Sequence, residues 1–236
     1  MTNILRKLKR IVTGTIQAFK SEKYIPIINT CDTNLLNGKV TLITGGSGGI
    51  GSSIANTFVK SGGHVIIAGT NKIKLQKITS ELSDEAAYVI IDLRSMESIV
   101  SGVEQAINCW GRIDILVNAA GIHSQKVFNN FLEVDEKDYD SILDINLKGI
   151  YFVTQTVAKY MVKNHICGHI LNISSSTATE PAWSPYRLSK WGIRGLTLGF
   201  AQQLQKYGII VNAIAPGSTA TNLLGFKEGD SIYSKD

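Results

Sequence analysis

From Gly38 onward, short apolar runs alternate with longer amphipathic segments, and few folds accommodate that order. We predict six buried strands from the apolar runs: Val40–Thr44, Val65–Ala68, Tyr88–Ile91, Ile113–Val117, His169–Ile173 and Ile209–Ala215. Helical patterns fill the intervening segments: 49–60, 72–82, 96–109, 136–163 and 186–206. Repeated β–α–β units predict an α/β fold, a doubly wound parallel sheet with helices on both faces. Ligands of such sheets bind at the carboxyl ends of the strands, near the point where the strand order reverses.

The composition agrees with one globular domain in a reducing compartment. The chain has 236 residues, 44% of them hydrophobic and 18% charged, which is ordinary for a domain with a sizeable core. Its three cysteines are widely spaced and odd in number, so no disulfide framework is expected. The apolar runs are too short to span a bilayer. We therefore expect a cytoplasmic protein without a transmembrane helix.

The net charge of +5 is located in residues 1–20. That segment has five basic side chains and no acidic one, whereas the whole chain has 24 basic and 19 acidic residues. The remainder is neutral overall, so we expect no nucleic-acid partner.

Residues 1–37 are predicted to form a basic, amphipathic extension that precedes the α/β domain at 38–236. Apolar residues within 1–20 fall on one side of a helical wheel and basic residues on the other. One interpretation is a helix that lies weakly on an anionic membrane surface, which would make the protein peripheral to a membrane. The other is a helix that packs on its own domain or on a second subunit.

A glycine-rich turn follows the first predicted strand. After Thr44 the chain reads Gly-Gly-Ser-Gly-Gly-Ile-Gly, which contains the dinucleotide fingerprint G-x-G-x-x-G at Gly46, Gly48 and Gly51. Glycines let the backbone approach a pyrophosphate, and the next helix N-terminus supplies free amides and a favourable dipole. The predicted cofactor contacts of this turn are Gly45, Ser47, Gly48, Gly49, Ile50 and Gly51.

The end of the second predicted strand bears on which dinucleotide binds. The fingerprint expects a carboxylate there to hold the adenosine ribose hydroxyls, but residues 68–72 read Ala-Gly-Thr-Asn-Lys. Without a carboxylate nothing there repels a 2′-phosphate, and Thr70, Asn71 and Lys72 are able to donate hydrogen bonds to one. We therefore favour NADP, with NAD as the alternative.

Tyr186 and Lys190 lie four residues apart in a predicted helix and so share one face. A free phenol has a pKa of roughly 10 and transfers protons poorly near neutrality. A neighbouring ammonium favours the phenolate, so we expect Lys190 to lower the pKa of Tyr186 toward the working range. The same spacing is common on solvated helices, so the pair is informative only beside the other motifs.

In order and spacing these motifs resemble the short-chain dehydrogenase/reductase family, in the compact single-domain branch that includes the 3-oxoacyl-carrier-protein reductases. The residues that carry the likeness are Thr44–Gly51, Asp92, Asn118–Gly121, Asn146, Ser174–Ser176, Tyr186, Lys190 and Pro216–Thr221. The resemblance implies a Rossmann fold, a homo-oligomer and an NAD(P)-dependent oxidoreductase. Hydride would pass between nicotinamide and a small alcohol or ketone.

The resemblance also implies roles for single residues. Tyr186 would be the general acid/base, Lys190 would hold the nicotinamide ribose, and Asn146 would support a water-linked proton relay. Implied cofactor contacts on the adenosine side are Asp92, Leu93, Asn118, Ala119, Ala120 and Gly121. Those on the nicotinamide side are Tyr186, Lys190, Pro216, Gly217, Thr219 and Thr221.

The active-site serine of the family ends the fifth strand, where this chain has three consecutive serines. Alignment of the strand selects Ser175 to hydrogen-bond the substrate oxygen, with Ser174 as the next choice. The connection from Ser175 to Tyr186 is shorter than is usual in the family, which leaves the substrate open. Trp183, within that connection, is a candidate substrate contact or a packing residue.

Two alternatives remain beside the enzyme. Family members continue past the Pro216–Thr221 loop into a lid helix and a last parallel strand, whereas this sequence ends at Asp236. Either the sequence is a fragment or the fold lacks that lid and strand. A truncated, catalytically weak nucleotide-binding or scaffold protein, associating through helices 136–163 and 186–206, is therefore an alternative. A nucleotide-sugar epimerase or dehydratase is another, because the turn also satisfies T-G-x-x-G-x-x-G.

No metal site is expected. His165, Cys167 and His169 lie close together in sequence, but they lead into a strand and no clustered carboxylate completes a ligand set. His64 and His123 are isolated. His123 follows the Asn-Ala-Ala-Gly turn, so a side chain that faces a substrate is one interpretation of it.

Overall fold

The computed structural model describes residues 34–123, 131–217 and 219. Its strands are β1 (Val40–Thr44), β2 (His64–Gly69), β3 (Ala86–Ile90), β4 (Ile115–Asn118), β5 (His169–Ile173) and β6 (Ile210–Ile214). All neighbours are parallel, in the order β3-β2-β1-β4-β5-β6. The predicted doubly wound α/β fold is therefore confirmed. The predicted extension at 1–37 and the expected lack of a C-terminal lid fall almost wholly outside the described residues.

The helices are α1 (Gly49–Lys60), α2 (Lys72–Leu82), α3 (Met96–Trp110), α4 (Glu136–Leu143), α5 (Ile150–Lys163) and α6 (Pro185–Leu204). The prediction of one continuous helix over 136–163 was wrong, because a π-helical segment, Asp144–Gly149, separates α4 from α5. Such a segment adds a residue to one turn, and the spacing of apolar residues does not reveal that. Gly149 lies within it, where a Cβ would be 2.6 Å from Leu93 Cβ.

Two hydrophobic layers enclose the sheet. On one face, strand residues such as Leu42 and Leu116 pack with Val103 of α3 and Val157 of α5. On the other, Ile43 and its neighbours pack with α1 and α2. Consecutive residues of β1 thus point into opposite layers, and the strand is buried along its whole length, as expected for a central parallel strand.

The strand order reverses at β1, which pairs with β2 on one side and with β4 on the other. Helices that follow β1 and β4 leave toward opposite faces, so a crevice opens between the carboxyl ends of these two strands. Thr44 pairs with Asn118 at that end. The glycine-rich turn and the Asn-Ala-Ala-Gly turn therefore meet at the crevice.

Candidate active site

The glycine-rich turn packs against the turn after β4. Gly45 has φ +65°, and a Cβ there would be 2.6 Å from the N and Cα atoms of Ala120. A Cβ on Gly51 would overlap the carbonyl oxygen of Gly45. Both positions require glycine, the first for its backbone angle as well as its size.

Helix α1 begins without a side-chain cap. Gly48 is its N-cap residue, and its first turn has no acidic residue. The helices α2, α3, α4 and α6 are each capped by a side chain: Asn71, Ser95, Asp135 and Ser184. The first amides of α1 are therefore available to an anion.

A cavity of about 490 Å³ opens beside the uncapped N-terminus of α1. Of the predicted cofactor contacts, its walls include Gly45, Ser47, Gly48, Thr70, Asn71, Asp92, Leu93, Ala119, Ala120 and Gly121. Gly49, Ile50 and Gly51 form the first turn of α1 and do not line it. The walls also include residues that the sequence motifs did not indicate: Lys74, Arg94, Ile122 and Ile145.

Asp92 and Arg94 form an ion pair in the wall of this cavity. Asp92 Oδ1 accepts from Arg94 Nε at 3.0 Å, and Oδ2 accepts from Nη2 at 2.7 Å. These hydrogen bonds from Arg94 hold the pKa of the Asp92 carboxyl below its usual value. The carboxylate therefore stays charged, and a cationic group that no motif predicted lies beside it.

The lysine of α2 that lines the cavity is Lys74, not Lys72. Asn71 caps α2, since its Oδ1 accepts from Lys74 N at 3.0 Å. The cap places Lys74 in the cavity wall, whereas Lys72 does not line it. A contact of Lys72 with a 2′-phosphate therefore stays a prediction, while Lys74 is the basic residue of α2 in the cavity wall.

The side chain of Asn118 is structural. It is fully buried, and its Nδ2 donates to Thr154 Oγ1 at 2.9 Å and to Asn172 Oδ1 at 2.8 Å. Asn172 in turn donates to Thr197 Oγ1. These bonds join β4 and β5 to α5 and α6. Asn118 therefore supports the turn that lines the cavity but does not line it.

Tyr186 lies in the first turn of α6, after the N-cap Ser184 and Pro185. Burial raises the pKa of Tyr186 above its ordinary value, and a weaker effect, a hydrogen bond with Ser175, acts to lower it. Ser175 Oγ also accepts from Thr177 N at 3.2 Å, which fixes its position. Ser174, the second choice, has a buried hydroxyl without a hydrogen-bond partner among the described residues. Of the two serines, Ser175 is therefore the one that acts on the pKa of Tyr186.

Lys190 reaches the same space from the next turn of α6. Its Nζ donates to the carbonyl oxygen of Ile173 at 2.9 Å and lies 5.6 Å from the centroid of the Tyr186 ring. Burial lowers the pKa of Lys190 to about 8. The expectation that Lys190 lowers the pKa of Tyr186 was wrong for this structure, because burial dominates both groups and disfavours the ammonium itself.

Asn146 lies in the π-helical segment and is fully buried. Its Oδ1 accepts from Ile122 N at 2.8 Å, and its Nδ2 donates to Ile122 O at 2.9 Å. A Cβ on Gly121 would be 3.6 Å from Asn146 Oδ1 and 3.8 Å from Lys190 Nζ. Asn146 and Lys190 therefore meet next to the turn after β4, which brings the four predicted catalytic residues to one place.

The short connection between Ser175 and Tyr186 is tied to α6. Arg187 Nη1 donates to Glu180 Oε2 at 2.7 Å, and Trp191 Nε1 donates to Glu180 O at 2.6 Å. Trp183 is 40% exposed and lies beside the Arg187 guanidinium, 5.6 Å from ring centroid to Cζ. It contacts Arg187, and its substrate role stays a prediction.

The loop after β6 lies next to the serines. Ser176 N donates to Pro216 O at 2.9 Å, and Thr219 Oγ1 donates to Gly217 O at 3.2 Å. Pro216 and Gly217 thus follow β6 at the carboxyl edge, and their contact with a nicotinamide stays a prediction. Thr221 lies outside the described residues.

Residues 34–123, 131–217 and 219 contain neither a metal-binding cluster nor a membrane-spanning helix. No group of three or more His, Cys, Asp or Glu side chains there is placed to hold a metal ion. Within the same residues, no helix combines the length and apolar character needed to cross a membrane.

Comparison with known proteins gives consistent matches. The family model described as short chain dehydrogenase matches residues 39–230. A 3-oxoacyl-[acyl-carrier-protein] reductase of Rickettsia felis is 37% identical over 205 residues, which is 85% of this chain and 82% of that protein.

Solved structures match as well. A 3-ketoacyl-(acyl-carrier-protein) reductase from Brucella melitensis, complexed with NADH, superposes with a TM-score of 0.75 at 32% identity, covering 80% of this chain and 79% of that one. An actinorhodin polyketide ketoreductase with NADPH gives 0.73 at 31% identity, covering 78% and 71%.

Proposed function

The chain belongs to the short-chain dehydrogenase family, and from that premise we propose that it is an NAD(P)-dependent oxidoreductase of small alcohols or ketones, acting through Ser175, Tyr186, Lys190 and Asn146. The observation that carries the proposal is the position of the Lys190 amine, 5.6 Å from the centroid of the Tyr186 ring, with Ser175 acting on the pKa of Tyr186. This cluster lies at the carboxyl edge of the sheet, where the glycine-rich turn also lies.

The cavity at the glycine-rich turn fits a dinucleotide. Its walls include the glycine backbone of Gly45 and Gly48, and the N-terminus of α1 is uncapped. Leu93 and Ile145 provide apolar walls for an adenine ring, and Asp92 lies beside them. When bound, the nicotinamide supplies or accepts the hydride.

The catalytic residues would have different roles at the substrate oxygen. Ser175 Oγ and the Tyr186 hydroxyl bind that oxygen together, and the proton moves at the Tyr186 hydroxyl. Burial holds the phenol in its protonated form, which suits a proton donor for ketone reduction. Asn146 fixes the turn after β4 through Ile122.

Lys190 would act on the ribose beside the nicotinamide. Its amine already donates to the Ile173 carbonyl, so one of its donors anchors it at the end of β5. The remaining donors are available to ribose hydroxyls.

NADP is the favoured form of the coenzyme. No carboxylate follows β2, and Thr70, Lys74 and Arg94 line the cavity there. A 2′-phosphate would meet the cationic side chains of Lys74 and Arg94, although Arg94 also forms an ion pair with Asp92. The matched reductases bind NADH in one case and NADPH in the other, so NAD remains the alternative.

The proposal is tested by Tyr186→Phe, which removes the hydroxyl and keeps the ring. We expect kcat for a carbonyl substrate to fall by roughly 10²–10⁴, while the Kd of NADPH, measured by its fluorescence, changes little. Tyr207→Phe, at an exposed tyrosine before β6, is the matched control and should be unchanged. Near-normal turnover by Tyr186→Phe would contradict the assignment.

A further inference from the structure

An ion pair lies at the end of the cavity where a purine ring would bind. Leu93 and Ile145 provide the apolar walls there, and Asp92 and Arg94 line the same cavity. Both charged side chains are partly exposed, by 31% for Asp92 and 57% for Arg94. A purine whose faces pack on the apolar walls has only its polar edges left for hydrogen bonds, and the ion pair lies within the same space.

The carboxylate of Asp92 has one acceptor position left beside Arg94. Its Oδ1 accepts from Arg94 N and from Arg94 Nε, both at 3.0 Å, and these two bonds use both lone pairs of that oxygen. Its Oδ2 accepts from Arg94 Nη2 at 2.7 Å, which leaves the second lone pair. Asp92 N donates to Ser98 Oγ at 2.9 Å and holds the backbone in place. The pair therefore offers a purine one acceptor, at Oδ2.

The guanidinium of Arg94 has donors that Asp92 does not use. It carries five N–H groups, and one on Nε and one on Nη2 bind Asp92. The other three are on Nη1 and Nη2. Because two parallel bonds to a carboxylate fix the plane of a guanidinium, these donors have a fixed direction. The ion pair thus presents an acceptor and several donors side by side.

Purines differ at the position that such a pair would bind. Adenine has an amine at C6, which donates, whereas hypoxanthine has an oxygen there, which accepts. Carboxylates accept from the exocyclic amines of bases, and arginine donates to a 6-oxo group and to the neighbouring N7. A carboxylate alone would favour the first base and repel the second. Asp92 together with Arg94 has a partner for either one.

We propose that Arg94 is a specificity-determining residue, which donates to the 6-oxo group of a purine and so lets the site bind hypoxanthine coenzymes as well as adenine coenzymes. Asp92 Oδ2 accepts from the amine of adenine, and Arg94 donates to the oxygen of hypoxanthine. The inference rests on the proposed function, because it needs a nicotinamide dinucleotide in this cavity. It deepens that function by naming the bases that the coenzyme carries.

The test compares the Kd values of NADH and of its hypoxanthine analogue, deamino-NADH, measured by their fluorescence. Both compounds lack the 2′-phosphate, so a contact of Arg94 with that group does not enter the comparison. We expect the wild type to bind the two with similar affinity. Arg94→Met removes every side-chain donor and should weaken deamino-NADH roughly tenfold or more, the range for a hydrogen bond from a charged group, with little change for NADH. If the wild type binds only phosphorylated coenzymes, NADPH and its hypoxanthine analogue replace the two compounds.

Lys74→Met is the matched control. Lys74 lines the same cavity, and its replacement removes one positive charge, as Arg94→Met does. The ratio of the two Kd values should therefore stay at the wild-type value in Lys74→Met, whatever happens to each constant. Because Arg94 is exposed, its loss should leave the fold intact, and the adenine titration of each variant checks this.

Three outcomes would overturn the inference. An equal loss for both bases in Arg94→Met would mean that Arg94 only holds Asp92 or adds charge to the cavity. An unchanged pair of constants would mean that Arg94 does not contact the base, and a wild type that preferred the adenine form by roughly tenfold would mean that Asp92 alone selects it. The proposed function is judged separately, by wild-type turnover and its loss in Tyr186→Phe. A wild type that bound no nicotinamide coenzyme would overturn the proposed function and this inference with it.

Discussion

Burial opposes charge on both titratable groups at the centre of the candidate site. It raises the pKa of Tyr186 and lowers that of Lys190 to about 8. In the free protein both groups are thus driven toward their neutral forms. The spacing of Tyr186 and Lys190 in the sequence predicted that they meet. It did not predict their protonation, because burial depends on β5 and the turn after β4, which are distant in sequence.

The buried amine makes stability depend on pH. Lys190 has an ordinary pKa of 10.5 and a folded pKa of about 8. Between these values the unfolded chain holds a proton that the folded chain has lost, so raising the pH favours folding. Relative to Lys190→Met, the wild type should gain about 3 kcal/mol across that window, most of it between roughly pH 8 and 10.5.

Urea unfolding of both proteins without coenzyme, at roughly pH 7.5 and pH 9.5, measures the part of this gain that falls between those values, about 2 kcal/mol. The Met variant also leaves the Ile173 carbonyl without its donor, but that cost is the same at both pH values. A difference between the two proteins that did not change with pH would show that Lys190 is not desolvated.

At the scale of elements, apolar runs located the strands well and the breaks between elements poorly. β1 and β5 lie where they were predicted, whereas β4 begins at Ile115 rather than Ile113. An apolar pattern reports burial, and Ile113 is fully buried. The pairing of β4 with β1, however, begins only at Ile115. The π-helical segment was missed for a similar reason, since it leaves the apolar face intact.

Replacement of a glycine by alanine should have a larger effect in the glycine-rich turn than in an ordinary turn. Gly45 and Gly111 both have positive φ, +65° and +73°, but only Gly45 has a neighbour where a Cβ would be, Ala120 at 2.6 Å. Gly111→Ala should cost only the backbone strain, about 1 kcal/mol. Gly45→Ala should cost about 3 kcal/mol, since overpacking adds to the strain, and should abolish NADPH binding.

Urea unfolding and a fluorescence titration of NADPH measure the two effects of these variants. Equal losses of stability in Gly45→Ala and Gly111→Ala would show that the glycine-rich turn does not pack tightly against the turn after β4. If a folded Gly45→Ala protein kept its affinity for NADPH, the coenzyme would have to bind somewhere other than this turn.

At the scale of the whole molecule, the order of elements determined most of what the sequence could predict. Repeated β–α–β units fix a parallel sheet, and the strand reversal at β1 brings the glycine-rich turn, Ser175 and Tyr186 to one edge. Contacts such as Arg94 with Asp92, or His123 with Tyr186, were not predicted. They depend on side-chain positions that the order of elements leaves free.

One helix face bears on the predicted homo-oligomer. Leu188, Trp191 and Leu198 follow helical spacing on α6 and are 41%, 41% and 67% exposed. On α5, Tyr151 is also partly exposed, at 37%, and its ring contacts Phe200 of α6. Exposed apolar stripes of this kind are typical of interfaces between subunits. We propose that a second copy of the chain covers this stripe of α6.

Leu198→Glu tests that interface against a matched control. Ile73→Glu places the same charge at another exposed apolar residue, 80% exposed on α2. Burying an unpaired carboxylate between subunits is costly, so Leu198→Glu should lower the mass measured by sedimentation at a concentration where wild type and Ile73→Glu stay associated. Because a solvated glutamate on either helix costs little, both variants should unfold near the wild-type temperature when all three proteins are measured at a concentration where wild type is dissociated. If Leu198→Glu kept the wild-type mass, the subunits would have to meet through another face.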